Sequence, residues 1–526
     1  MQKDSRLVLS CAFIIVLSFM LLLRLFYIQI FRGPFYLKKA KSQWSVSVSD
    51  YSKGEVFDRN GEPLTGSYYE TYAIISPRWL SNSQKELLVE KGILNPSDDE
   101  KPKSIKLSRG NNEIIHELVG KTPGVFVYKK KSAYGPSALA THVVGYKNQT
   151  GIEKSFEKLL SNLKVKDTII CDGFGQPIPG AAQQYKEVSA GIKLTIDKKI
   201  QAVVEQVMDE RVPMGAVVVL DARTGEILSM ASRPNYKQYN VGEYLNREDA
   251  PLINRAIEAF PPGSIFKIVV LSAALEEGIT NLDEKFYCPG FIKVGGNIFK
   301  CESYDRGGHG EITLREATAR SCNTVFIQLG LRLGKQKIIE YARRFGLGEK
   351  VLVDLPEEKP GFIPSIKNVY YQDIGNIAIG QGPILITPIQ AAQMLLAIVN
   401  DGVLIKPHLT LEQVDTDGST SLLPFRQERK AVISKKTAEM VRKALQDVTR
   451  YGTGVNAMPP ASLGESAGKT GTAEIEKNTY HAWFVGYYPA RSPRYIISVF
   501  LEKGDSGPIK AAPAFRDIIE KLNLHK

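Results

Sequence analysis

Cysteine and histidine are scarce in this 526-residue chain, five of one and six of the other. The cysteines are Cys11, Cys171, Cys288, Cys301 and Cys322, and none forms a Cys-x-x-Cys pair. That argues against zinc-knuckle and thioredoxin-type chemistry. The histidines are scattered and no His-Glu-x-x-His occurs, which argues against a zinc protease. No metal site is therefore expected. Cys288 and Cys301 lie 13 residues apart in a glycine-rich stretch; in an oxidising compartment they either pair as a disulfide or remain two free thiols. Zinc-finger spacing and strands of interleaved aromatic and basic residues are also missing, so no nucleic-acid partner is expected despite a net charge of +12. That charge suits an anionic membrane surface or wall polymer equally well. There is no internal repeat and no low-complexity tract. With 43% hydrophobic and 24% charged residues, the composition is that of a folded protein longer than one ordinary domain.

One apolar run stands apart. Leu7 to Phe31 carries a single charge, Arg24, and is long enough to cross about 30 Å of hydrocarbon as a helix. Arg24 lies near the end of the run, where its side chain can reach the interface. No small-residue cleavage site follows, so an uncleaved anchor is expected, with residues 1–6 as a short tail. The flanking charges oppose the obvious topology. Lys3 and Arg6 precede the run, while Arg32, Lys38, Lys39 and Lys41 follow it, and charge alone would place the following part in the cytoplasm.

Beyond the anchor, Val56-Phe57 followed by Asn60-Gly61 reads as a strand entering a tight turn. Residues from about 66 to 190, with the lysine run Lys129–Lys131 as a solvated face and turn signals such as Pro177-Ile178-Pro179, read as a small strand-containing module. From Ile192 to Val212 a strand-like start leads into a helical pattern. Ala216–Leu220 and Ile227–Met230, joined by Asp221–Gly225, form a hairpin. Helices and strands continue to the end, giving an α+β region of residues 192–526.

The chemistry is concentrated in three short motifs. Ser264-Ile-Phe-Lys267 follows Pro262-Gly263 and precedes the apolar run Ile268–Leu275. This predicts a buried helix with Ser264 at its N-terminus and Lys267 one turn on. A lysine in apolar surroundings loses its charge more easily and can deprotonate a serine that is otherwise a weak nucleophile. Alone the motif says little, because Ser155/Lys158, Ser161/Lys164 and Ser466/Lys469 share its spacing. Ser321-Cys322-Asn323 and Lys469-Thr470-Gly471-Thr472 change that. Alone, Ser-x-Asn reads equally well as a turn or helix cap. On a strand edge the lysine supplies a cation, the threonines hydroxyls, and the glycine room for a substrate backbone. His481–Gly486 and Tyr495–Phe500 read as strands beside it.

In this order the three motifs resemble those of the penicillin-recognising serine enzymes. The segments KGEVFDRNG (from Lys53), GIEKSFEKLL (from Gly151), the stretch Ala216–Tyr236, IGQGPILITPIQAA (from Ile379) and GTGVNA (from Gly452) extend the resemblance to class B penicillin-binding proteins over nearly the whole chain. Lys53 stands where relatives usually have arginine, and Leu64-Thr65 replaces a usual Leu-Ala.

The resemblance implies an α+β fold with a single transmembrane helix (7–31), a pedestal module (32–191) and a transpeptidase domain (192–526) of antiparallel sheet with flanking helices. No repeat domain is expected after a last helix starting near Pro513. It also implies Ser264 as acylated nucleophile, Lys267 as general base, and Ser321 as proton relay towards the leaving group, helped by Lys267 and Lys469. Asn323, Thr470, Gly471 and Thr472 would bind substrate, with backbone N–H groups of Ser264 and Thr472 as the oxyanion hole. Cys322, at a variable position, is expected to pack. No cofactor is implied. The expected activity is D,D-transpeptidation of peptidoglycan stem peptides, blocked covalently by β-lactams. The catalytic part would stand outside the cell membrane, where that substrate is found, partnered by a glycan polymerase of the SEDS type. Carboxypeptidase or β-lactamase action uses the same motifs, and a β-lactam sensor or scaffold would retain them.

Overall fold

A computed structural model describes residues 2–36, 45–96, 102–108, 110–161, 163–170, 190–351, 354–415, 417–423 and 427–524. Lys38, Lys39, Lys41, Cys171 and the Pro177–Pro179 turn lie outside the described residues.

The apolar run forms helix α1 (Gln2–Phe26), continued by a π-helical turn over Tyr27–Phe31. Leu9–Phe31 has the length and hydropathy to cross a bilayer, and none of it is buried against protein. An all-round apolar helix left exposed in this way matches lipid rather than water.

The described residues divide into two compact units, one drawn from residues 1–52, 68–132 and 162–188, the other from 53–67, 133–161 and 189–526. In the smaller, strand Tyr68–Ile75 lies between Lys103–Lys106 and Val125–Ser132, antiparallel to both. Ala73, Ile75 and Val125 pack with Leu88 and Ile115 from the helices Asn82–Glu90 and Asn112–Leu118. The first of these helices is held by a Ser81–Gln84 capping box. Of the lysine run, Lys129 is exposed and Lys130 lies over the Tyr72 ring. Ser45–Ser52 pairs antiparallel with Leu163–Ile170.

The larger unit is built on an antiparallel sheet of β1 (Gly215–Asp221), β2 (Ile227–Arg233), β3 (Ala467–Glu476), β4 (Thr479–Tyr488) and β5 (Tyr495–Leu501), in the order β3-β4-β5-β1-β2. Its apolar residues alternate between two cores, as the pleat requires. Val217, Val219, Phe484, Ile497 and Val499 pack with α2 (Lys198–Arg211) and, near the C-terminus, Ala512–Leu524. Ala216, Val218, Leu220, Val485, Ile496 and Phe500 join the core shared by α3 (Lys267–Glu276), α4 (Asn323–Arg344), α5 (Pro388–Val399) and α6 (Lys435–Arg450). Ile268 to Leu275 is buried at every position, which is why that stretch is apolar all round apart from Ser272, whose hydroxyl donates to the Ile268 carbonyl at 2.7 Å.

A second sheet of this unit places Glu55–Phe57 parallel to Gly191–Leu194. The Asp58 carboxylate then accepts N–H groups from Asn60 and Glu62, both at 2.8 Å, and from Lys198 at 3.1 Å, tying the Asn60-Gly61 turn to the start of α2. Lys53 Nζ donates to Tyr134 Oη at 2.6 Å and to Glu153 at 2.5 Å. Glu153 belongs to the GIEKSFEKLL segment and is buried, so this ion pair joins two segments far apart in the chain. Lys53→Ala would leave a buried carboxylate without its cation and is expected to lower stability by about 3 kcal/mol, with Lys53→Arg close to wild type. Denaturant melts of the three proteins check this; a loss below about 0.5 kcal/mol would mean that water takes the place of the lysine.

Candidate active site

Ser264 lies in a 3-10 turn, Gly263–Phe266, and α3 begins only at Lys267. The sequence places Ser264 at the helix N-terminus; the tighter turn arises because Gly263 adopts φ +54. Only glycine suits it there, since a Cβ on Gly263 would sit 2.6 Å from the Thr472 carbonyl oxygen. The Gly263 N–H donates to the Gly380 carbonyl at 2.9 Å. Gly380 approaches so closely that its own Cβ would stand 2.1 Å from the Gly263 oxygen. On the other side Gly471 packs against the Pro262 carbonyl and Ile265, and Trp483 Nε1 donates to the Pro261 carbonyl at 3.0 Å. The serine turn is thus clamped between β3–β4 and the IGQG segment.

Lys267 is 1% exposed and Lys469 0%, and both reach one hydroxyl. Lys469 Nζ donates to Ser321 Oγ at 2.8 Å. Lys267 Nζ lies 3.2 Å from the same oxygen and donates to the Ser321 carbonyl and to Asn323 Oδ1, each at 2.7 Å. Ser321 bridges the helices Leu314–Ala319 and α4 with φ +55, a left-handed conformation that turns its carbonyl and side chain to the lysines. Burial is the main cause that pushes the Lys267 amine down to about 8. Burial and then the nearby Lys267 charge hold the Lys469 amine well below the usual lysine range. A buried amine that sheds its proton readily beside a hydroxyl has the chemistry to serve as a general base with a relay.

Among the described residues β3 is an edge strand, a position from which a strand can pair with an added chain. Thr470 Oγ1 is hydrogen-bonded to Thr453 Oγ1 at 2.6 Å, and Thr472 Oγ1 accepts the Gly507 N–H at 3.3 Å. A cavity of about 650 Å³ continues from Asn323, bounded by Lys300, Phe299, Gln381 and Glu474. Lys267, Ser321, Asn323 and Lys469 are thus joined by hydrogen bonds, and the turn that carries Ser264 packs against β3 at Gly471 and Thr472.

The sequence model of the family described as penicillin binding protein transpeptidase domain matches residues 215–520. The chain belongs to the class B penicillin-binding proteins. Stage V sporulation protein D of Bacillus subtilis is 31% identical, over 98% of this chain and 84% of that protein. Peptidoglycan D,D-transpeptidase MrdA of Acinetobacter baumannii is 26% identical, over 95% and 85%. Among solved structures, penicillin-binding protein 3 of Mycobacterium tuberculosis complexed with aztreonam is 26% identical, with a TM-score of 0.66, covering 90% of this chain and 97% of its own. A chain in the structure of a peptidoglycan synthase complex coordinating polymerisation and cross-linking shares the fold at TM-score 0.71 and 24% identity, over 98% of each.

Within this penicillin-binding protein, the role of Gly380 and Thr453 was not readable from the motifs singly, although both lie in segments that carry the resemblance. Cys322 packs as expected, at 0% exposure. Cys288, Cys301 and Cys322 are all free thiols. The fold nevertheless gathers them with His309 so that all four potential ligand atoms lie within 4.8 Å of one another. Spacing of local cysteine pairs could not reveal a group assembled from three separate stretches.

Proposed function

We propose that this peptidoglycan D,D-transpeptidase uses Ser264 as nucleophile and the free-base amine of Lys267 as general base. Lys267 takes the hydroxyl proton as Ser264 Oγ bonds to the carbonyl carbon of the penultimate D-Ala of a stem peptide. Backbone N–H groups of Ser264 and Thr472 receive the oxyanion, each such donor being worth about 3 kcal/mol. Lys469, Thr470 and Thr472 hold the terminal carboxylate, Gly471 lets the peptide approach β3, and Asn323 hydrogen-bonds the donor. The carboxylate compensates a cation at Lys469, which leaves Lys267 as the amine that gives up its proton. When the D-Ala–D-Ala bond breaks, that proton returns through Ser321 to the departing nitrogen. An amine of a neighbouring stem then attacks the ester, forms the cross-link and gives its proton back to the site. A β-lactam follows the first half: its ring C–N bond opens and the acyl group stays on Ser264.

One observation carries this reading: a single hydroxyl, Ser321 Oγ, within 3.2 Å of two fully buried amines. Residues 7–31 are the membrane anchor, with 1–6 in the cytoplasm and the pedestal (32–191) and transpeptidase (192–526) domains outside, because the substrate is there. A glycan polymerase of the SEDS type is the proposed partner, because the motifs of this chain account for cross-linking and not for making glycan strands.

The test is labelling with a fluorescent penicillin followed by peptide mass spectrometry. A stable adduct on Ser264, lost in Ser264→Ala, is expected. No adduct on a folded sample would overturn the catalytic reading, and rapid release of hydrolysed penicillin would make the protein a β-lactamase.

A further inference from the structure

At one end of the central sheet, apart from the catalytic residues, three arginines converge on a second cavity, of about 470 Å³. The β1–β2 turn contributes Arg223, the β4–β5 turn Arg491 and Ser492, α6 Arg442 and Gln446, and the stretch after α5 Asp401. None of these lines the cavity beside Asn323. The walls are tied to one another. The Ala222 N–H donates to the Arg494 carbonyl at 2.9 Å, which joins the two turns. Asn400 Nδ2 donates to the Ala222 carbonyl at 2.7 Å, which joins them to the end of α5. Pro489 and Pro493 restrict the backbone on either side of Arg491 and Ser492.

The charges around this cavity do not balance. Asp401 is the single acid among the described lining residues, and it already meets Arg442 at 3.0 Å and Lys435 at 3.3 Å. Two neighbouring carboxylates are engaged elsewhere. Asp221 accepts the N–H groups of Arg223 and Thr224 at 2.8 and 2.9 Å. Glu465, whose charge reaches Arg491, is bound by Arg450 at 2.8 Å. Among the described residues, the side chains of Arg223 and Arg491 have no ion-pair partner, and both are exposed. Arg442 is held in place instead: its side chain is 19% exposed and donates to the Ile398 carbonyl at 2.8 Å. That bond, with one from Asn400 to the Leu396 carbonyl at 2.8 Å, caps the carbonyl end of α5 and offsets the partial negative charge that would repel an anion.

We infer that this cavity binds the phosphate of a small phosphate ester, either free or as one repeat of a polyol phosphate polymer. The three guanidinium groups come from three separate elements. A tetrahedral phosphate offers acceptor oxygens in all of those directions, whereas a carboxylate offers two in one plane. Three cations against one carboxylate leave an excess of two positive charges, which matches a phosphomonoester dianion or two adjacent phosphodiesters. The Ser492 hydroxyl and the Gln446 amide add uncharged donors for ester or hydroxyl oxygens, and the volume is that of a small-ligand pocket. Occupation would hold the domain to an anionic matrix and leave the catalytic cleft open.

Isothermal titration of the full-length protein in detergent, at physiological salt, tests this with inorganic phosphate, glycerol phosphate, a short poly(glycerol phosphate) and acetate as probes. Saturable binding of glycerol phosphate is expected. Arg223→Gln and Arg491→Gln should each weaken it at least ~10-fold, because each removes charge-assisted hydrogen bonds. Both side chains are exposed, so the variants should melt like wild type. Labelling of Ser264 by fluorescent penicillin should be unchanged in both, which keeps this result separate from the catalytic reading. Two outcomes support the site and differ in its source: a polymer that binds more tightly per phosphate than the monomer assigns it to a polymer, and equal binding assigns it to a free ester. No saturable binding of any phosphate probe would overturn the site. So would binding that both variants leave unchanged, or acetate that binds as tightly as phosphate.

Discussion

Replacing Lys267 by alanine is expected to slow acylation of Ser264 by a β-lactam by about 10³-fold, the usual contribution of a positioned general base. The residue is completely enclosed, and its amine meets the Ser321 carbonyl, Ser321 Oγ and Asn323. Arginine should not rescue it, because a guanidinium does not deprotonate in a protein. The wild-type pH profile gives a second readout. The active form is the free base and the amine titrates at about 8, so the acylation rate should rise with pH up to about 8 and level off above it. Stopped-flow acylation across pH 6–10 measures both effects. A profile flat below pH 8, or a Lys267→Ala rate within tenfold of wild type, would remove Lys267 from the role of base.

Gly380→Ala should be nearly as damaging although the residue carries no functional group. Its Cβ would stand 2.1 Å from the Gly263 carbonyl oxygen and 2.7 Å from Phe266 Cβ. The serine turn must therefore shift, and a displacement of about 1 Å at a reacting group can cost on the order of 10²-fold in rate. Gly464→Ala is the control. Gly464 also has a positive φ, +85, but a Cβ there meets nothing within 4 Å, so it reports backbone strain without a clash. Acylation rates of the two variants, measured beside their melting curves, separate the effects. If Gly380→Ala acylates like Gly464→Ala, the IGQG segment does not hold the nucleophile.

The helix α3, the hairpin β1–β2 and the strands around Lys469 were legible because their signals are local. A run such as Ile268–Leu275 can be apolar on all faces only if it is buried, and Asp221–Gly225 breaks two β-patterned stretches. The 3-10 turn at Ser264 was not legible. It depends on contacts with Thr472 and Gly380, which lie over a hundred positions away. Four Ser-x-x-Lys matches are equivalent in the sequence, yet Ser466 Oγ donates to the Ala457 carbonyl and Ser155 Oγ to the Asp354 carbonyl, so their hydroxyls serve as backbone ties. The grouping of Cys288, Cys301, His309 and Cys322 had no sequence signal, because strand register and the start of α4 bring them together.

By itself the sequence determined the family, the three motifs, the apolar N-terminal helix and the alternating strands, since backbone sterics and hydrophobic period act over a few residues. Only the tertiary structure decided which serine faces which lysine, that Lys267 titrates near neutral pH, and that three cysteines meet a histidine. Desolvation and charge proximity act through space, between residues 54 and 148 positions apart, and no local pattern records them.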